Sequence, residues 1–128
     1  MAPPSFLNAS LLVALGGGVG AWLRFVAGRL VGPGAFPWAT LGVNIAGSLA
    51  MGLLAGWLAR HGTGGETWRL LLGVGLLGGF TTFSAFSLEL ALMIERGELL
   101  AAAGYVLVSV IAGVAGLFAG LALMRAPV

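Results

Sequence analysis

The residues best suited to chemistry lie in the middle of a long apolar stretch, in the run from Gly78 to Ser87. This run reads GGFTTFSAFS and combines adjacent glycines, adjacent threonines, two serines and three phenylalanines. Because glycine and β-branched threonine disfavour a helix interior, the run predicts a break in a helix. The first half of a broken helix ends in unpaired carbonyls that hold a small cation, and the second begins with unpaired amides that favour an anion.

The phenylalanines of this run, Phe80, Phe83 and Phe86, admit two interpretations. Side chains at three-residue steps most simply pack against a neighbouring helix. Alternatively, the positive edge of an aromatic ring contacts an anion, and the hydroxyl groups of Thr82 and Ser84 add hydrogen-bond donors. The residues alone leave both interpretations open.

Two stripes of polar side chains lie in other apolar stretches. Thr40, Asn44 and Ser48 recur every four residues and therefore share one helix face, and Tyr105 and Ser109 repeat the same step. A polar side chain inside a bilayer needs a partner or a water-filled path. The stripes indicate either hydrogen bonds between helices or part of an ion path.

The elements that carry these residues are predicted to be membrane-spanning helices. The 128 residues are 59% hydrophobic and 8% charged, whereas soluble domains carry about 25% charged residues. Four stretches are long enough to cross the hydrocarbon core, at about 6–23, 37–59, 68–94 and 99–124. We therefore predict an all-α integral membrane protein with a single four-helix domain, whose third helix is broken at its centre.

Glycine is abundant, with 23 residues, and recurs at four-residue spacing. Examples are Gly52 with Gly56 and Gly116 with Gly120, a spacing that lets helix backbones approach closely in a membrane. The run Gly16–Gly18 additionally indicates a loosened helix. Cysteine is absent, which excludes a disulfide framework, and so few basic residues exclude a nucleic-acid-binding face.

The arginines are balanced across the membrane. If the spans alternate, Arg24, Arg29 and Arg96 lie on one side, and Arg60, Arg69 and Arg125 lie on the other. Orientation normally follows an excess of Lys and Arg in the cytoplasmic loops, and this chain shows no such excess. Either both orientations occur and an antiparallel homodimer is the working unit, or another cue sets the orientation.

Three motifs resemble the Fluc (CrcB) family of fluoride channels. They are GAWLR at 20–24, GVNIAGS at 42–48 and GFTTFSAFS at 79–87, in that order over nearly the whole chain. The resemblance implies an antiparallel, dual-topology homodimer in the cell inner membrane, with two fluoride pores each built from both subunits. It further implies passive export of fluoride from the cytoplasm and no enzymatic activity.

The resemblance also implies roles for individual residues. The implied fluoride pore consists of Asn44, Phe83, Phe86, Ser84, Thr82, Tyr105, Ser109 and Arg24. The backbone carbonyls of Gly78 and Thr81, from both subunits, are implied ligands of a structural sodium ion at the dimer interface. Ala85 stands where the family commonly has threonine, so one hydroxyl of the implied polar track is missing.

Two other functions remain open from the residues. A small proton-coupled multidrug or guanidinium exporter would also have four spans and this length, but it needs a titratable group at its substrate site. Glu89 is the sole acid within any predicted span. An unselective pore-forming protein such as a holin is the second alternative.

Overall fold

The computed structural model describes residues 2–62 and 64–127, and its regular structure within those ranges is helical. The elements, in chain order, are α1 (Phe6–Val31), α2 (Trp38–His61), α3 (Gly65–Trp68), a π-helical segment (Arg69–Leu77), α4 (Gly78–Phe80), α5 (Ser84–Glu95) and α6 (Leu99–Arg125). The elements from α3 to α5 form one interrupted stretch, called the third span below.

Four stretches are long and apolar enough to cross a membrane, namely α1, α2, the third span and α6. This confirms the prediction of a four-span helical protein. The first helix is longer than predicted, because it continues past Leu23 to Val31 and ends only at Gly32, whose φ is 77°. Arg24 and Arg29 therefore lie on α1 rather than in the loop that follows it.

Glycines bring the backbones of neighbouring helices into contact. A Cβ on Gly16 of α1 would overlap the carbonyl oxygen of Leu71, and a Cβ on Gly52 of α2 would overlap that of Leu117 on α6. The run Gly16–Gly18 does not interrupt α1; its first glycine instead serves the contact with the third span. Helices in lipid gain little from burying apolar surface, so such close approach stabilises their packing.

The third span breaks where the sequence predicts. Thr81 adopts an extended conformation with φ −80° and ψ 157°, and α5 begins at Ser84. The π-helical segment before the break was not predicted. In that segment the turn is wider, and the Gly78 N–H reaches the carbonyl of Gly73, five residues back.

Candidate ion site at the helix break

Asn44 on α2 holds the break through both ends of its side-chain amide. Its Oδ1 accepts the Thr82 N–H at 2.8 Å, and its Nδ2 donates to the Thr82 carbonyl oxygen at 3.0 Å. Both backbone groups of Thr82 are thereby paired in a region where a helix no longer pairs them. An amide nitrogen carries two hydrogens, so Asn44 keeps one further donor.

Thr82 in turn starts the second half of the helix. Its Oγ1 accepts the N–H of Ala85 at 3.1 Å, one of the amides that a helix N-terminus leaves without a helical partner. The Ser84 hydroxyl lies 3.4 Å from the same Oγ1. Thr82 therefore serves the break through its backbone and its side chain.

The same hydrogen bonds release two backbone carbonyls. In a continuous helix the Thr82 N–H would bond to the Gly78 carbonyl, but it donates to Asn44. Likewise the Ala85 N–H, the helical donor for the Thr81 carbonyl, donates to Thr82 Oγ1. The carbonyl oxygens of Gly78 and Thr81 have lost their helical donors, and such unwound carbonyls suit a small cation such as sodium.

An open groove of about 350 Å³ lies beside the break and is called the break groove below. Its walls come from α2, the third span and α6: Asn44, Gly47, Ser48, Met51, Leu77, Thr81, Thr82, Phe83, Phe86, Ser109, Val110 and Leu117. Each of these residues is uncharged, yet together they present hydroxyl groups, an amide and two aromatic rings. Polar groups are costly against hydrocarbon, so the groove is suited to water, an ion or another protein surface.

The two phenylalanine rings of the break groove differ in their surroundings. Their centroids are 5.7 Å apart, with planes inclined at 38°. Phe86 is 9% exposed, and its ring meets that of Tyr105 edge-on at 4.9 Å. Phe83 is 79% exposed. Packing within the chain thus explains Phe86, whereas most of the Phe83 ring is left uncovered by the chain.

Ser109 on α6 brings a hydroxyl group to the groove from the opposite wall. Its Oγ is buried and, within residues 2–62 and 64–127, has no hydrogen-bond partner. A buried hydroxyl without a partner costs about 1–3 kcal/mol. Ser109 is therefore a candidate hydrogen-bond donor at the groove wall.

A second polar cluster, centred on Glu89 of α5, was not predicted. Its carboxylate accepts the Thr40 hydroxyl at 2.6 Å and the Tyr105 hydroxyl at 2.8 Å. The positions of these three residues along their helices could have predicted this cluster. Thr40 lies near the start of α2, Tyr105 near the start of α6 and Glu89 in the second half of the third span, so alternating spans bring all three toward one membrane face.

A separate cavity of about 350 Å³ opens beside α1 and is called the Arg24 cavity below. Its charged lining residues are Arg24, Arg29 and Glu89, and Thr82 lines it as well as the break groove. Arg24 is half-buried, and its Nε donates to the Gly79 carbonyl oxygen at 3.2 Å. The break therefore forms the wall between the two spaces.

The structure brings together most of the residues that the resemblance implied for a pore. Five line the break groove: Asn44, Thr82, Phe83, Phe86 and Ser109. Three lie elsewhere. Tyr105 is buried behind Phe86 and bonds to Glu89, Arg24 lines its own cavity, and Ser84 is exposed at the start of α5.

Comparison with known proteins relates nearly the whole chain to one family. Residues 11–121 match the family described as CrcB-like protein, Camphor Resistance (CrcB). The chain is 62% identical over 124 residues to the fluoride-specific ion channel FluC of Novosphingobium aromaticivorans, covering 93% of this chain and 98% of the relative. The FluC proteins of Phenylobacterium zucineum and Sphingopyxis alaskensis are 58% and 54% identical, each over 93% of this chain and 97% of the relative.

These relatives are named as ion channels, which confirms the prediction of a protein without enzymatic activity. Similarity of this extent shows the family of the chain. The fold agrees, because the chain has four membrane-length helices and a helix break beside Asn44, Thr82 and two phenylalanines. The chain belongs to the CrcB family.

Proposed function

We propose that this chain forms a fluoride-selective channel that exports fluoride passively from the cytoplasm across the inner membrane. The observation that carries the proposal is the break groove, which presents an amide and hydroxyl groups among apolar side chains and has no charged lining residue. Fluoride holds its water tightly, so a pore must replace hydration with several donors at close range. Hydroxyl groups, an amide and ring edges do so and still let the ion leave, whereas a fixed positive charge would hold it too tightly.

The direct test is ion efflux from liposomes that contain the purified protein, comparing fluoride with chloride. We expect fluoride to leave without an imposed proton gradient while chloride is retained. Fluoride retained by well-folded protein would refute the proposal. A requirement for a proton gradient would favour the exporter, and leakage of large solutes would favour an unselective pore.

The rings provide a sharper test of the path. Phe83→Ile and Phe86→Ile remove the positive ring edge while keeping an apolar side chain, and we expect each to slow fluoride efflux strongly. Phe118→Ile is the matched control, because Phe118 lies on α6, is 64% exposed and is not part of the groove wall. Wild-type efflux in the Phe83 variant would mean that this ring has no role in the path.

The proposal includes an antiparallel homodimer with two pores. Its support is the exposure of polar atoms in the wall of the break groove at membrane depth, since polar groups are costly against lipid. A second copy placed over the groove would close it into a pore. The balanced arginines support opposite insertion of the two copies. Arg60 bonds to the Ala126 carbonyl at 2.6 Å, so the end of α2 and the C-terminal residues lie on one side, as the count of arginines on each side assumes.

Dual insertion can be tested with one introduced thiol, because the chain has no cysteine. Thr67 is exposed between α2 and the π-helical segment, so Thr67→Cys places a thiol at one membrane face of each copy. We expect an impermeant maleimide to label about half of the protein from outside intact cells, and the rest only after the membrane is opened. Labelling from one side alone would refute dual insertion.

We further propose that the carbonyls of Gly78 and Thr81 hold a structural sodium ion where two copies meet. Their loss of helical donors supports this, and the ion would supply a fixed positive charge that keeps the two breaks together. The measurement is the melting temperature of the purified dimer in sodium, potassium and choline chloride. We expect sodium alone to raise it, and equal stability in all three salts would remove the ion from the proposal.

A further inference from the structure

The break leaves a third carbonyl to be paired, that of Gly79. α4 ends at Phe80, so the helical donor for Gly79, the Phe83 N–H, lies beyond the end of that helix. In hydrocarbon every backbone polar group must find a partner inside the protein. The Nε of Arg24 meets this need, because it donates to the Gly79 oxygen at 3.2 Å.

The packing of α1 explains why Arg24 reaches this carbonyl. Gly20 lies one turn before Arg24 on the same helix face, and a Cβ there would overlap the Leu76 carbonyl oxygen and lie 2.8 Å from Phe80 N. On the other side, a Cβ on Gly79 would overlap the Gly17 carbonyl oxygen. Backbone thus lies directly on backbone, and the position of Arg24 relative to the break is fixed by two elements in contact.

We infer that Arg24 is a positioning residue, which pairs the Gly79 carbonyl and thereby holds the first half of the broken helix in its conducting shape. This role differs from that of a charge that only attracts anions to the cavity mouth. The three carbonyls of the break then have different roles. Arg24 pairs the carbonyl of Gly79, while those of Gly78 and Thr81 stay available to a cation. The inference rests on the proposed function for its flux measurement alone.

Arg29 provides the contrast within the same chain. It lines the Arg24 cavity as well, but it is exposed and its guanidinium lies 6.0 Å from the ring centre of Phe25. A role through charge would be shared by both arginines, and lysine would preserve it. A role through the Nε hydrogen bond belongs to Arg24 alone. Glutamine can preserve it without the charge, because its amide nitrogen is a donor at the same position along the side chain as Nε, whereas methionine has no donor.

The carbonyl of Gly79 can be observed on its own. Gly79 is the only glycine that precedes a phenylalanine in the sequence. Full-length protein labelled with carbonyl-¹³C glycine and ¹⁵N phenylalanine therefore gives one Gly–Phe correlation in a carbonyl–amide NMR experiment. Because a hydrogen bond moves a carbonyl resonance downfield, we expect Arg24→Met to move it upfield, while Arg24→Gln and Arg29→Met leave it in place.

Fluoride efflux is measured on the same dimers after gel filtration. We expect Arg24→Met to conduct on the order of tenfold more slowly or worse, since a hydrogen bond from a charged group is lost, whereas Arg24→Gln should conduct close to the wild-type rate. A wild-type carbonyl shift in Arg24→Met would overturn the inference, and slow efflux in Arg24→Gln with an unchanged carbonyl shift would favour a charge effect.

Two further measurements keep the tests separate. If Arg24→Met fails to form dimers, slow hydrogen exchange of the Arg24 Nε–H in the wild-type protein supports the bond, and rapid exchange refutes it. If the wild-type protein conducts no fluoride, the proposed function fails, while the carbonyl shift still decides the positioning role.

Discussion

The side-chain amide of Asn44 offers the most direct test of how the break is held. Asn44→Leu keeps the same branched shape and number of side-chain heavy atoms but removes both hydrogen bonds to Thr82, of 2.8 and 3.0 Å. Each backbone group left without a partner costs about 1–3 kcal/mol, so two groups cost about 2–6 kcal/mol. At about 1.4 kcal/mol per factor of ten, the break with both of these bonds formed becomes at least about 30-fold less populated. This state is called the clamped break below.

Asn44→Asp separates the two bonds. A carboxylate still accepts the Thr82 N–H, but it cannot donate to the Thr82 carbonyl and instead sets oxygen against oxygen. We expect the loss of about 1–3 kcal/mol for one bond, which corresponds to about 5- to 150-fold slower fluoride efflux if conduction requires the clamped break. The leucine variant should be slower still.

Hydrogen exchange at the Thr82 amide distinguishes two roles of Asn44, that of a clamp that holds the break and that of a direct hydrogen-bond donor to the ion. In Asn44→Leu this amide should exchange much faster, whereas in Asn44→Asp, which keeps an acceptor for it, the exchange rate should lie between those of the wild type and Asn44→Leu. The control is Asn8→Leu, the same change at the only other asparagine, which is exposed near the start of α1. Slow efflux combined with unchanged Thr82 exchange in Asn44→Leu would refute the clamp and leave Asn44 as a direct ligand of the ion.

Three further changes test neighbouring parts of the site. Glu89→Gln forces one of its two hydroxyl bonds to reverse direction, and we expect about tenfold slower efflux that still needs no proton gradient. If export instead depends on a proton gradient and this change abolishes it, the exporter is favoured. Thr82→Val removes the cap on Ala85 and should lower efflux and cost about 1 kcal/mol, whereas Thr82→Ser should preserve both. Gly20→Ala should crowd the Leu76 carbonyl, destabilise the dimer by about 1–3 kcal/mol and so lower its melting temperature. Gly18→Ala should not lower it, because a Cβ there meets nothing within 4 Å. Equal melting temperatures of the two variants would contradict the packing argument.

Hydropathy and local composition predicted the outline of the fold correctly. Four apolar stretches were sufficient to place the spans, and the pairs Gly78–Gly79 and Thr81–Thr82 were sufficient to place the break. Both are local properties of the sequence. The first predicted span ends at residue 23, whereas the helix continues past Arg24 and ends only where Gly32 turns the backbone.

The partners across the site could not be predicted, because they depend on contacts between helices. Asn44 was recognised as unusual in a span, yet its partner is a backbone group 38 positions away. The π-helical segment has a similar origin, since its residues show no local signal and its backbone lies against the glycines of α1. Glu89 was seen only as an isolated acid, because its two hydroxyl donors lie on two other spans.

These contacts have one physical requirement in common. A helix broken inside a membrane leaves both amides and carbonyls without partners, and lipid offers none. Neighbouring side chains therefore take over selected groups: Asn44 pairs both groups of Thr82, Thr82 pairs the Ala85 amide, and Arg24 pairs the Gly79 carbonyl. Since each of these bonds also determines which groups stay free, the residues that stabilise the break are the ones that define its chemistry. A change at any of them should therefore alter ion conduction before it prevents folding.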